Sequence, residues 1–148
     1  MGHILHQVFP DYARGRWLNA SYADVRYKFA SGGMIASAED LVKVASALNH
    51  DRLLRRETRT LMLTPQIDGL QRFRENAAPE AMEFQQALIW RVNKDEQGRP
   101  FVYHCGTVKG FNVCLIDYVD DDLAAAVMTN SDECCGWKKA LELANLFR

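Results

Sequence analysis

No apolar run in this 148-residue chain exceeds the six residues LAAAVM at 123–128, far short of the ~20 that a membrane-crossing helix needs. Charge of one sign is also lacking. The 18 basic and 19 acidic residues leave a formal net charge of −1, which gives neither nucleic acid nor an anionic membrane an electrostatic reason to bind. The first residues, MGHILHQVFPDYARG, do not have the basic-then-apolar layout of an export signal. As given, the chain is expected to be soluble and unexported; a longer parent would carry any signal elsewhere, so no compartment is assigned. Cysteines are few, at 105, 114, 134 and 135. None is spaced Cys-x-x-Cys, which excludes a zinc knuckle and a dithiol redox motif, and the adjacent Cys134 and Cys135 are poorly placed to bridge each other. Cys114, within an apolar strand, is expected to be a small core residue, and the set as a whole favours a reducing compartment.

What is present suits one globular core: 48% of the residues are hydrophobic, and neither an internal repeat nor a low-complexity tract interrupts them. A single domain over 1–148 is expected, in three parts. Residues 1–30, rich in aromatic and basic side chains, are expected as an extended surface segment without regular structure. In 31–86, Ser31-Gly32-Gly33 makes a turn and Ser37 caps a helix, answered by Asp40 from the third position. Leu41, Val44, Ala45 and Leu48 give that helix one apolar face, and Asn49-His50-Asp51 ends it. A shorter helix is expected over 56–63, with Leu61 and Met62 inward, stopped where Pro65 forces Thr64 out of helical geometry. Residues 66–86 are polar and aperiodic and are expected as a long loop. In 87–148, strands over 87–93, 100–105, 111–119 and 123–130 form an antiparallel meander. Most are apolar on both faces, so helices should cover both sides of the sheet. The last of these runs over about 133–147, with Trp137, Leu141, Ala144 and Leu146 toward the sheet.

The most informative stretch is YHCGTVKGFNVCLIDYVDDDLAAAVMTN at 103–130. A strand ends in His104-Cys105-Gly106, and a loop framed by Gly106 and Gly110 follows. A polar residue beside glycines at a strand edge lays backbone N–H groups against a ligand. This segment resembles the last strands of the β-lactamase-related serine hydrolases, which include class C β-lactamases, DD-peptidases and esterases. FASGGMIASAEDLVKVASALNH (29–50) resembles that family's Gly-Gly turn and Ser-capped helix, LLRRETRTLMLTPQ (53–66) its next short helix, and ALIWRV (87–92) a following strand. HCGTVKGF (104–111) is similar to the third active-site motif, and TNSD (129–132) to the end of the last strand.

The resemblance implies an α/β (mixed α+β) fold, an antiparallel sheet of at least four strands flanked by helices, and acyl transfer from an ester, amide or β-lactam to a serine. In that family the serine lies in Ser-x-x-Lys, with a partner tyrosine in Tyr-x-Asn or Tyr-x-Ser. The five serines here are followed three residues on by Asp24, Met34, Asp40, Asn49 and Cys134, never by lysine, and none of the five tyrosines fits the second pattern. The chain is therefore expected to be the C-terminal part of such a hydrolase, inactive alone. The alternative is a non-catalytic binding or scaffold domain derived from that fold, self-associating through exposed sheet.

The resemblance nominates His104 for proton transfer or contact with a substrate carboxylate, and the Thr107 backbone N–H for the oxyanion hole; Cys105, Gly106 and Lys109 would border the substrate. Each has a plainer reading. His104 could be a strand-end histidine satisfied by solvent, Cys105 a small residue that hydrogen-bonds only weakly, and Thr107 and Lys109 ordinary loop residues. A Cys105–His104 nucleophilic pair is disfavoured, because neighbours on a strand point to opposite faces. His3 and His6 suggest a mobile terminus, and Asp120-Asp121-Asp122 a solvated turn. No metal or organic cofactor is implied. The expected partner is a small acyl substrate once an N-terminal half completes the site.

Overall fold

The computed structural model describes residues 8–11, 16–19, 24, 26–67, 69, 71–73, 82–108, 110–131 and 136–147. Two short strands, β1 (Val8–Asp11) and β2 (Arg16–Asn19), pair antiparallel as a separate ribbon. The described part of residues 1–30 is thus more regular than its composition suggests. A 3-10 turn over Arg26–Lys28 runs into the single-turn α1 (Phe29–Gly32).

Helix α2 (Ala38–Asn49) starts as its sequence requires. The Ser37 hydroxyl oxygen accepts from the Asp40 N–H at 3.1 Å, and the Asp40 carboxylate accepts from the Ser37 N–H at 3.1 Å. Two of the helix's orphan donors are satisfied in this way. Ala45 and Leu48 are buried, but Val44 lies off that face and is exposed. Helix α3 (Arg56–Leu63) ends at Thr64, whose extended backbone (ψ 131°) is what a residue before proline adopts. Met62 and Leu63 pack inward; Leu61 is exposed, against expectation, since it lies one residue off the apolar stripe.

The main sheet is antiparallel in the order β3-β4-β5-β6-β7-β8, five strands in one ladder with β3 added to β4. Its strands are β3 (Gln71–Phe73), β4 (Met82–Gln86), β5 (Arg91–Lys94), β6 (Pro100–Val108), β7 (Phe111–Tyr118) and β8 (Leu123–Thr129). Two expectations are corrected. The polar segment 66–86 contributes β3 and β4, whose backbone pairing does not need apolar alternation. The strand expected over 87–93 begins only at Arg91, because Ala87 N–H donates to Trp90 O at 2.9 Å and closes a turn.

Strand β6 also runs further than expected. It passes straight through Gly106 to Val108, paired with β7 throughout, and the glycine-framed loop shrinks to a tight turn at Gly110, whose φ of 76° suits glycine. The acidic turn is as expected: a 3-10 turn over Val119–Asp121 with Asp122 left-handed at φ 50°.

Two cores lie on opposite faces of the sheet. On one, Phe101, Tyr103, Cys105, Cys114, Ile116, Tyr118 and Ala125 pack under α4 (Gly136–Asn145), which contributes Ala140, Ala144, Trp137 and Leu141. Leu146 lies beyond this helix and is exposed. Gly136 lets the start of α4 lie tight against the sheet: a Cβ there would meet Asn112 Oδ1 at 2.5 Å. On the other face Val102 and Leu115 pack against Ala45 and Leu48 of α2, with Ala87 and Trp90. Helices therefore cover both faces, as the apolar strands imply.

Candidate functional site

Strand β6 has different neighbours along its two edges. β7 pairs with it from Val102 to Val108, whereas β5 pairs only from Pro100 to Tyr103. From His104 to Val108 the edge facing β5 has no strand partner among the described residues.

Which backbone groups that edge presents follows from the register. Cys105 and Cys114 stand directly opposite with Cα atoms 4.0 Å apart, the shorter of the two antiparallel spacings, which belongs to pairs that do not exchange hydrogen bonds. His104, Gly106 and Val108 therefore bond to β7. The N–H and C=O of Cys105 and Thr107 point the other way, into the open edge. The edge thus offers donor and acceptor pairs two residues apart, the spacing that an extended backbone or acyl amide can match.

Side chains alternate across the same stretch. His104 faces the α2 side with Val102 and Leu115 and is exposed. Partial desolvation, and secondarily the positive charge of Arg91, hold its pKa below the ordinary histidine value, so the ring is uncharged at neutral pH. Gly106 faces the same side. A Cβ there would meet only Val113 Cγ1, at 3.7 Å, so no contact among the described residues demands glycine and its absence of a side chain keeps that face clear. Thr107 faces the α4 side, and its hydroxyl oxygen accepts from Asn112 Nδ2 at 3.2 Å. Asn112 is buried and braces the end of the open stretch.

Cys105 requires a correction. Its sulfur lies on the buried α4 face, disulfide-bonded to Cys114, so the side chain cannot border a substrate beside His104 or serve as a thiol. The four cysteines accordingly do not read as a set of free thiols. Sequence separation conceals this pair; only the β6–β7 register sets the two residues opposite each other. Lys109, the other expected border residue, lies outside the described residues, as do His3, His6, Cys134 and Cys135. His104, Gly106 and Thr107 are brought together on one strand end.

Sequence reasoning missed the flank of this edge. The β4–β5 connection, Ala87–Trp90, immediately precedes Arg91, the residue at which β5 stops pairing with β6, and it carries two exposed aliphatic residues, Leu88 and Ile89. Among the described residues, no group of three or more His, Cys, Asp and Glu side chains could hold a metal ion.

Comparison with known proteins agrees with this architecture. Residues 5–134 match the family model described as Beta-lactamase, and the chain belongs to that family. Its structure is similar to that of a D-stereospecific amidohydrolase from Streptomyces sp., with a TM-score of 0.70 at 20% identity. The match covers 97% of this chain and 39% of that one, so the chain spans well under half of the amidohydrolase's length. No curated protein matches.

Proposed function

We propose that this chain forms the sheet wall of a serine acyl hydrolase site, contributing one backbone donor of the oxyanion hole but not the nucleophile. The observation that carries this is the open β6 edge, with the Thr107 N–H directed into it. An oxyanion hole needs donors fixed before charge develops, and an N–H held by a strand paired on its other edge is fixed in that sense. His104 stands on the same strand end as an uncharged imidazole, able to accept a proton from a nucleophile supplied by another part of the protein. Gly106 leaves room beside it. Cys105 contributes its backbone groups alone. The substrate class is an acyl ester, amide or lactam, and the isolated chain is inactive.

The test has two arms. A fluorophosphonate probe should leave the chain unlabelled; covalent labelling would contradict the missing nucleophile. In 15N-edited NMR spectra, the uncharged dipeptide analogue N-acetyl-leucine N′-methylamide should shift the amides of Cys105 and Thr107. Shifts confined to other strands would overturn the assignment of the β6 edge.

A second reading, a non-catalytic scaffold that self-associates, is favoured by the opposite edge of the sheet. The outer edge of β8 has no strand partner among the described residues. It floors a largely apolar trough of about 310 Å³ between α2 and α4, lined by Val42, Leu123, Ala125, Leu143 and Phe147 with Glu39 at its side. An apolar strand edge without charge or proline is a template for strand addition. Light scattering at micromolar concentration separates the readings: a dimer supports the scaffold, a monomer removes its basis.

A further inference from the structure

We infer that Leu88 and Ile89 form an apolar subsite that receives the uncharged side chain of a ligand lying along the open edge of β6. This rests on the reading of that edge as the ligand-binding strand.

Position comes first. β4 ends at Gln86 and β5 begins at Arg91, these two residues being paired, and Arg91 is in turn paired with Tyr103. The turn between them therefore lies at the end of β5 where its pairing with β6 stops, next to the start of the unpaired stretch at His104. A ligand backbone that takes over the vacant pairing meets this turn at one end.

The turn is also held. Gln86 Nε2 donates to Ala87 O at 2.7 Å and to Trp90 O at 3.3 Å, and Ala87 N–H donates to Trp90 O. Gln66 N–H donates to Gln86 O at 2.8 Å, tying the turn to the segment after α3. Ala87 and Trp90 are buried, 2% and 6% exposed, in the core shared with α2. Between these two anchors Leu88 and Ile89 remain 56% and 57% exposed. A loose loop could fold such residues under itself, but one pinned at both ends keeps two adjacent aliphatic side chains in solvent at the end of β5 where the open edge begins.

The surrounding charge selects the ligand's character. The Arg91 guanidinium lies over the Phe84 and Tyr103 rings, 5.2 and 5.8 Å from their centroids, on the α4 face of the sheet, opposite the face that His104 and Gly106 share. An aliphatic or aromatic side chain, without charge, is what two aliphatic residues recognise.

The experiment uses the full chain and two probes, N-acetyl-leucine N′-methylamide and its serine counterpart. Both should shift the Cys105 and Thr107 amides, and the leucine probe should bind roughly fivefold tighter, as partial burial of its side chain implies. Leu88→Ser/Ile89→Ser should abolish that preference while the amide shifts persist. The milder Leu88→Ala gives a second variant, expected to reduce the preference if the double variant fails to fold. Shifts at β6 with no leucine preference, or with a preference that survives both variants, would overturn the subsite and leave the edge assignment standing. Absence of β6 shifts with either probe would overturn both.

Discussion

Asn49 Nδ2 donates to Asp117 Oδ1 at 2.9 Å, joining the last residue of α2 to the buried strand β7. Asp117 is only 2% exposed. Burial pushes its carboxyl up to about 6 from an ordinary 3.8; the Asn49 bond opposes this, the nearby Asp122 charge adds to it, and Arg59 opposes it. Between these two pH values the folded chain binds a proton that the unfolded chain has released. The contribution of Asp117 to stability is therefore complete below about pH 4 and is lost as the pH rises through 6. The shift corresponds to roughly 3 kcal/mol at most. Asp117→Asn keeps an oxygen for Asn49 and removes the charge. It should stabilise the fold by about 1–3 kcal/mol at pH 7.5 and by little at pH 4, measured as the difference in urea unfolding between the two proteins. Equal effects at both pH values would show that Asp117 titrates normally.

The two ends of α2 are secured by different chemistry. At the start, Ser37 and Asp40 satisfy each other's backbone donors; Ser37→Ala should cost about 1 kcal/mol in urea unfolding. At the end, Arg59 of α3 donates Nη1 to Leu48 O at 3.2 Å and to Asn49 O, and its side chain is largely buried. Arg59→Met keeps the stem but removes those donors and the cation near Asp117 and Asp51. We expect a larger loss, about 2–3 kcal/mol, because buried carbonyl and carboxylate groups are left uncompensated. A smaller loss than that of Ser37→Ala would argue against the Arg59 anchor.

Local chemistry made much of the helical part legible. The Ser37–Asp40 box, the stop before Pro65 and the bounds 56–63 each depend on residues within four positions of one another. Non-local pairing was less accessible. Strands β3 and β4 are polar and short, and their pairing is non-local: β4 lies on β5 and β3 on β4. Where β6 ends was misread because glycine is usually a break, whereas Gly106 is held in the ladder by Val113 across the strand. For the site, residue types at 104–107 and a family resemblance sufficed to nominate the strand. The resemblance could not show that β5 stops at Arg91 and leaves the edge open. Nor could it show that Cys105 is turned away and bonded to Cys114.

That disulfide should be a modest contributor to stability. The two cysteines are separated by nine residues and sit on strands already joined on both sides of the pair. Chain-entropy reasoning for so small a loop gives about 2–3 kcal/mol as an upper figure. Reduction with a phosphine should therefore lower the urea midpoint without abolishing cooperative unfolding. Collapse of the fold on reduction would mean that the β6–β7 ladder depends on the bond.

The direction of the Thr107 N–H is open to test by proline. Where an N–H points away from the neighbouring strand, proline removes no ladder bond; where it points toward that strand, proline removes one. Register assigns Thr107 to the first class and Gly106 to the second. Thr107→Pro also loses the hydroxyl that accepts from Asn112, so its reference is Thr107→Val, which loses that bond alone. We expect Thr107→Pro to be within about 1 kcal/mol of Thr107→Val in urea unfolding, and Gly106→Pro to cost about 3 kcal/mol or more. Thr107→Pro should also abolish binding of the dipeptide analogue at β6, while Thr107→Val retains it. If instead Thr107→Pro proves as disruptive as Gly106→Pro, the Thr107 N–H belongs to the ladder with β7 and cannot face a developing oxyanion.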